Sequence, residues 1–335
     1  MSGGARDAAD RPAAPDAAAS GSRERGPVVA LAGGTGGAKL AAGIAATLGA
    51  TASGPEGLVV VANTGDDIEC YGAYVSPDPD LVTFWLAGRI DARGWGLAGD
   101  TFHVMDGLRE LGVDVWFNLG DRDLAYSIER ARRLAAGARL TDVTADLARA
   151  LGAPGRVLPM SDDPVRTVVT ARGRSWPFQE FMIRARAEGP IDGIAFRGAD
   201  RARPTPEVLE AIATARAIVI GPSNPLLSIG PILALPGMRD ALRAAPAPVV
   251  AVSPIVAGRV IKGPTAACMA WAGQPLSAAG VAALYGDVLD GIVADEPLPP
   301  DVPLPVHQTD LLMDDAAARA RLARETLAFA ATLRR

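Results

Sequence analysis

Val28-Val29-Ala30-Leu31-Ala32, followed at once by Gly33-Gly34-Thr35-Gly36-Gly37 and then by Ala38-Lys39-Leu40, is the stretch whose reading decides the fold. Five apolar residues in a row, without alternation, fit a strand buried on both faces of a parallel sheet. The glycines form a loop, and 38–48 reads as a helix. A second apolar run at 58–62 ends in Asn63-Thr64-Gly65-Asp66-Asp67. Strand, glycine loop, helix and strand together predict an α/β, Rossmann-like fold, mainly a parallel sheet with helices on both faces.

The same theme recurs outward from this unit. Apolar runs at 115–119, 217–220 and 249–252 predict further strands, each ending in a polar loop. Helical patterns cover 125–136, 141–151, 207–215, 276–285 and the Ala-rich 314–333. Residues 165–170 alternate and are β-branched, which predicts an antiparallel strand in a smaller α/β insertion, roughly 124–205. Phe178-Gln179-Glu180-Phe181 also reads as a half-buried strand. Residues 1–26, rich in Ala, Gly, Asp and Arg, read as a disordered tail, and 27–335 as one domain.

Composition removes several classes of function. The net charge is -5 and no basic block stands out, so a nucleic-acid partner is not expected. No apolar run reaches bilayer length, so no membrane association is expected. Cys70 and Cys268 form neither a metal-type spacing nor a disulfide framework, which suits a reducing, cytoplasmic setting. With only His103 and His307, a multi-histidine metal site and a His-based triad are both disfavoured.

Parallel sheets bind ligands outside the carboxyl ends of their strands, where the polar motifs of this chain fall. Glycine turns between strand and helix bring backbone N–H groups close to phosphate. The pattern at 33–37 is neither the complete P-loop nor the dinucleotide fingerprint, although Lys39 lies close by. Adjacent carboxylates at Asp66 and Asp67 suit a hard cation or a turn. Ser76-Pro77-Asp78-Pro79-Asp80 adds two acids in a stiff turn, and Gly94-Trp95-Gly96 exposes an aromatic ring to a ligand or to packing. Gly120-Asp121-Arg122-Asp123 sets one Arg between two acids, where it serves a phosphate or a salt-bridge cluster. Ser223, Asn224 and Ser253 offer uncharged donors after two later strands. Carboxylates, a few cations and a glycine loop suit phosphoryl-group chemistry.

Taken in order, these motifs resemble one family. Gly-Gly-Thr-Gly-Gly-Ala-Lys (33–39), Asn-Thr-Gly-Asp-Asp (63–67), Ser-Pro-Asp-Pro-Asp (76–80), Gly-Trp-Gly (94–96) and Leu-Gly-Asp-Arg-Asp (119–123) lead the series. Pro-Met-Ser-Asp-Asp (159–163), Gly-Pro-Ser-Asn-Pro (221–225), Ser-Ile-Gly-Pro-Ile (228–232) and Val-Ser-Pro-Ile (252–255) complete it. The series is similar to the 2-phospho-L-lactate transferase (CofD-like) family of coenzyme F-420 assembly.

The resemblance implies transfer of a phosphorylated three-carbon acid from a guanosine-diphosphate-activated donor to the deazaflavin Fo, with GMP released. It implies magnesium dependence and a homodimer. Carried onto this chain, it makes Asp67 and Asp80 the expected metal and catalytic residues. Gly33, Gly34, Thr35, Gly36, Gly37 and Lys39 become donor contacts. Asn63, Asp80, Arg122, Ser223, Asn224 and Ser253 become further substrate contacts. Two other readings stay open: a nucleotide-sugar-binding regulator of the gluconeogenesis-factor type, and an NAD-dependent dehydrogenase with Asp66 as ribose anchor.

Overall fold

The structure is a computed structural model that describes residues 26–54 and 57–333. Almost all of the span read as a tail thus lies outside the described residues. Fourteen strands are described: β1 (Val28–Ala32), β2 (Leu58–Ala62), β3 (Ile68–Cys70), β4 (Ala73–Val75), β5 (Arg156–Pro159), β6 (Arg166–Ala171), β7 (Arg174–Pro177), β8 (Ile191–Arg197), β9 (Ala217–Ile220), β10 (Val249–Val252), β11 (Ile255–Val256), β12 (Arg259–Val260), β13 (Gly291–Ala294) and β14 (Val306–Gln308). The first helices are α1 (Gly34–Leu48), α2 (Pro77–Leu86), α3 (His103–Glu110), α4 (Asp121–Ala135), α5 (Leu140–Leu151) and α6 (Phe178–Ile183). They are followed by α7 (Pro206–Ala213), α8 (Gly230–Leu233), α9 (Met238–Ala244), α10 (Thr265–Trp271), α11 (Ala278–Tyr285) and α12 (Ala316–Thr332).

Seven strands form the main sheet in the order β14-β13-β10-β9-β1-β2-β5. All of its pairings are parallel. The side-chain period of two then sorts the strands into two cores. Val29, Leu31, Val59, Val61, Ile218 and Ile220 face α7, α9 and α11. Val28, Ala30, Ala32, Val60 and Val219 face α1, α2 and α12. Burial on both faces explains the uninterrupted apolar runs of these strands. Gly43 lets α1 and α12 meet closely, since a Cβ there would stand 2.3 Å from the Arg319 carbonyl oxygen.

The chain leaves β1 toward β2 on one side and returns to β9 on its other side. That reversal opens a crevice at the carboxyl ends of β1 and β9, the usual ligand position in such a sheet. A second sheet, β7-β6-β8, is antiparallel throughout, as the alternating pattern at 165–170 predicts. It leans on the loop after β2: the Thr167 N–H donates to the Gly65 carbonyl at 2.7 Å.

Several expectations change. Residues 115–119 form no strand; Val115, Phe117 and Leu119 pack on a side cluster with Ala73, Val75 and Met105. Residues 178–183 are helix α6 rather than strand, with Phe181 buried against Val169 and Leu227. The glycines do not form an open loop: α1 begins at Gly34, so most of them make its first turn. Pro77 likewise opens α2 instead of a free turn, consistent with proline at the first helical position. Strand β5 falls within the span read as an insertion, yet it pairs with β2 at the edge of the main sheet. No described helix is long and apolar enough to cross a membrane. Both cysteines are free, and burial pushes both thiols up to about 11.

Candidate functional site

The first turn of α1 meets the loop after β9. Gly33 donates its N–H to Ser223 Oγ at 3.3 Å, and Gly34 donates to Asp78 Oδ1 at 2.7 Å. Gly34 has a φ of 65°, which an L side chain adopts only under strain. A Cβ on Gly36 would lie 2.0 Å from the Pro222 carbonyl oxygen, and one on Gly37 2.7 Å from Ser223 Oγ. Gly36 therefore lets α1 approach the backbone of the loop after β9, and Gly37 leaves room for the Ser223 hydroxyl. The next N–H groups of α1, from Thr35 onward, have no acceptor within the helix, as at every helix start.

Asn63, at the end of β2, ties this turn to the acidic loop. Its Nδ2 donates to Asp78 Oδ2 at 2.9 Å, and its Oδ1 accepts from the Gly65 N–H at 2.7 Å. Asp78 thus bridges α1, β2 and α2. The sequence motif contains Asp78, but Asp80 stood out from it.

Asp67 is buried and accepts from Ser76 Oγ at 2.8 Å and from Tyr74 Oη at 3.0 Å. Burial pushes its carboxyl up to about 7, against the opposing pull of Arg166, Ser76, Arg130 and Tyr74. Burial raises Asp78 to about 6, with Asn63 and the Gly34 N–H opposing. Asp66 is raised well above the carboxylate range by burial and then by the charge of Asp78. Its Oδ1 is buried without a hydrogen-bond partner.

Asp80 is engaged by the fully buried Arg130. Its Oδ2 accepts from Arg130 Nη1 at 3.1 Å, and its Oδ1 pairs with Nη2. Arg130 Nη1 also donates to the Tyr74 carbonyl at 3.0 Å, which links the pair to the Asp67 network. Removing either partner of such a buried pair leaves an uncompensated charge, at a cost of roughly 3–5 kcal/mol. Arg130 carries no sequence signal, being one Arg among several on an amphipathic helix.

Other expected contacts fall into distinct places. Ser223 buttresses the glycine turn, as above. Asn224 Oδ1 accepts from the N–H groups of Leu226 and Leu227, both at 2.9 Å, and its Nδ2 donates to Thr265 Oγ1 at 3.2 Å. Ser253 Oγ accepts from the Ile255 N–H at 3.1 Å, closing its own turn. Arg122 is exposed and lines a cavity of about 260 Å³ with Arg89 and Tyr126. No hydrogen bond or ion pair connects it to the acidic cluster among the described residues.

A larger cavity of about 400 Å³ opens between the acidic loop and the inserted sheet. Asp66, Asp67, Arg166, Phe178 and Gln179 are among its walls. Gln179 Nε2 donates to the Asp66 carbonyl at 3.3 Å, and Arg166 Nη2 to Tyr74 Oη at 3.3 Å. The volume falls within the range of small-molecule sites.

No three His, Cys, Asp or Glu side chains among the described residues converge as a ready-made metal shell. The acidic set still suits a hard cation that keeps much of its water. The charges of Asp78 and Asp67 both disfavour the ionised form of Asp66, and Asp66 Oδ1 has no partner.

The sequence matches the family described as 2-phospho-L-lactate transferase CofD over residues 28–319. A phosphoenolpyruvate transferase of Kitasatospora aureofaciens is 42% identical over 320 residues, covering 92% of this chain and 98% of its own. The 2-phospho-L-lactate transferase of Methanosarcina mazei is 42% identical over 270 residues, covering 80% and 87%. Among solved structures, a member of the UPF0052 family from Bacillus halodurans superposes with a TM-score of 0.59 at 16% identity. It covers 90% of this chain and 99% of its own, a likeness of fold. The buried acidic loop and the glycine helix therefore sit in a chain that belongs to the 2-phospho-L-lactate transferase CofD family.

Proposed function

We propose that this chain transfers a phosphorylated three-carbon acid from a guanosine-diphosphate-activated donor to the deazaflavin Fo, giving a coenzyme F-420 precursor and GMP. The observation that carries the reading is the junction at Asp78, which joins the glycine turn of α1 to the acidic loop after β2. A diphosphate lying on the first turn of α1 would be close to that loop. Relatives named for phosphoenolpyruvate and for 2-phospho-L-lactate both match, so the reading covers either acid, and phosphoglycerate as a third. The regulator and dehydrogenase readings are not favoured by these matches.

In the proposed reaction the Fo hydroxyl oxygen bonds to the β-phosphorus of the donor. The bond from that phosphorus to the bridging oxygen breaks, and its electron pair leaves with GMP. A carboxylate of the acidic cluster, Asp67 foremost, orients the hydroxyl and receives its proton; support comes from the Tyr74 and Ser76 hydroxyls, which fix that carboxylate at the wall of the larger cavity. Asp67 and Asp80 would hold magnesium, and the ion would supply neutralisation of the diphosphate. Asp80 keeps lone-pair capacity beyond its bonds to Arg130 and to the Ser76 backbone. Arg130 fixes that carboxylate, and Tyr74 and Ser76 fix Asp67. The Phe178 and Arg166 side of the larger cavity would take the deazaflavin ring, which suits an aromatic and a guanidinium face. The enzyme is proposed to act as a cytoplasmic homodimer.

Mass spectrometry of the purified chain with Fo, magnesium and each of the three activated donors tests the reading. A product heavier than Fo by one phospho-acid unit, with equimolar GMP, is expected from at least one donor. No product from any of them would overturn it.

A further inference from the structure

The sequence has 33 Lys and Arg residues, of which only Lys39 and Lys262 are lysines. They lie on different sides of the central strand order, Lys39 on α1 and Lys262 in the loop that follows β12. The fold brings both to the amino-terminal half of α1: Lys39 lies on that helix, and Lys262 rests on Trp95, whose neighbour Gly94 lies against Thr35. Neither has a carboxylate within ion-pair distance among the described residues. What they meet instead are aromatic faces. Lys262 Nζ sits 4.4 Å from the centre of the Trp95 ring, and Lys39 Nζ 5.8 Å from that of Trp85.

Trp95 is 52% exposed and follows Gly94, where an added Cβ would lie 4.0 Å from Thr35 Cγ2. The glycine-flanked tryptophan therefore stands beside the first turn of α1. Arg93, the other cation at this ring, is already paired with Asp91 at 2.6 Å. Two like charges held together without a counter-charge cost free energy unless an anion joins them. A single phosphate needs one such group; a diphosphate can engage both.

We propose that Lys262 and Lys39 form a two-armed clamp on the diphosphate of a nucleotide lying on the first turn of α1, with Trp95 holding Lys262 over the site until the ligand arrives. The inference rests on the donor class proposed above and adds the residues that grip it. Loops 91–99 and 257–263 meet where Lys262 rests on the Trp95 ring. Lys262 exchanges the weak contact with a ring face for a charge-assisted bond to phosphate oxygen. An arginine at 262 keeps the charge but not the compact ammonium, so it substitutes in part.

Calorimetric titration of the full chain with GDP in magnesium buffer tests this, with guanosine as the uncharged control. Lys262→Gln is expected to weaken GDP binding at least tenfold and to flatten its dependence on salt, with guanosine unaffected. Lys262→Arg is expected to recover most of the loss. Because Lys262 is exposed, both variants should melt as the wild type does. GDP binding by Lys262→Gln within twofold of wild type overturns the clamp alone. Absence of GDP binding by the wild-type chain overturns the donor reading and the clamp with it.

Discussion

Asp123 lies two turns before Arg130 on α4, on the face that turns toward Asp80. Burial, then the charge of Asp80, push its carboxyl up to about 7, while Arg130 pulls the other way. In the unfolded chain an aspartate titrates near 3.9. The folded protein thus holds the Asp123 proton more tightly. Its contribution to stability is fully present below about pH 4 and is lost as pH rises through about 7. Asp123→Asn imitates the protonated form. Its melting temperature should exceed that of wild type by about 2–4 °C at pH 8. The gap should close toward pH 4, and an equal melting temperature at pH 8 would count against this assignment. At this scale the sequence shows which residue types are present but not which are buried. Asp78 and Asp80 differ by two positions in one motif, yet one caps the glycine turn and the other pairs with Arg130.

At the level of elements, strands β1, β2, β9 and β10 were legible because both of their faces are buried. A run of apolar residues with no polar face has few other solutions. The stretch 115–119 is apolar apart from Asn118, but its side chains cover a small satellite cluster and find no neighbouring strand. Phe178 to Ile183 resembled a strand over four residues, too short a window to separate the two periods. The glycines of α1 are legible as a strand-to-helix turn, but their packing role is not. Gly36→Ala would press a methyl group onto the Pro222 carbonyl and push α1 away from the loop after β9. Urea denaturation should show a loss of about 1–3 kcal/mol. Unchanged stability would mean that the first turn shifts without resistance.

Across the whole molecule, one rim of the sheet collects pieces that are distant in sequence. The turn after β1, the acidic loop after β2 and the Ser223 loop after β9 meet through three side chains: Asn63, Asp78 and Ser223. The inserted sheet and helix α6 close one wall through Thr167 and Gln179. Strand order explains the gathering, because the chain reverses direction about β1. Recurrent polar loops at strand ends mark that rim in the sequence, whereas β13 and β14 lack a comparable signal. Asp67 is the residue on which the proposed chemistry most depends. The most direct measurement is the turnover of Asp67→Asn with saturating donor, Fo and magnesium, alongside a melting curve to show a folded chain. The account predicts a cooperative melt and a fall in kcat of at least about 100-fold. Turnover equal to wild type would contradict it.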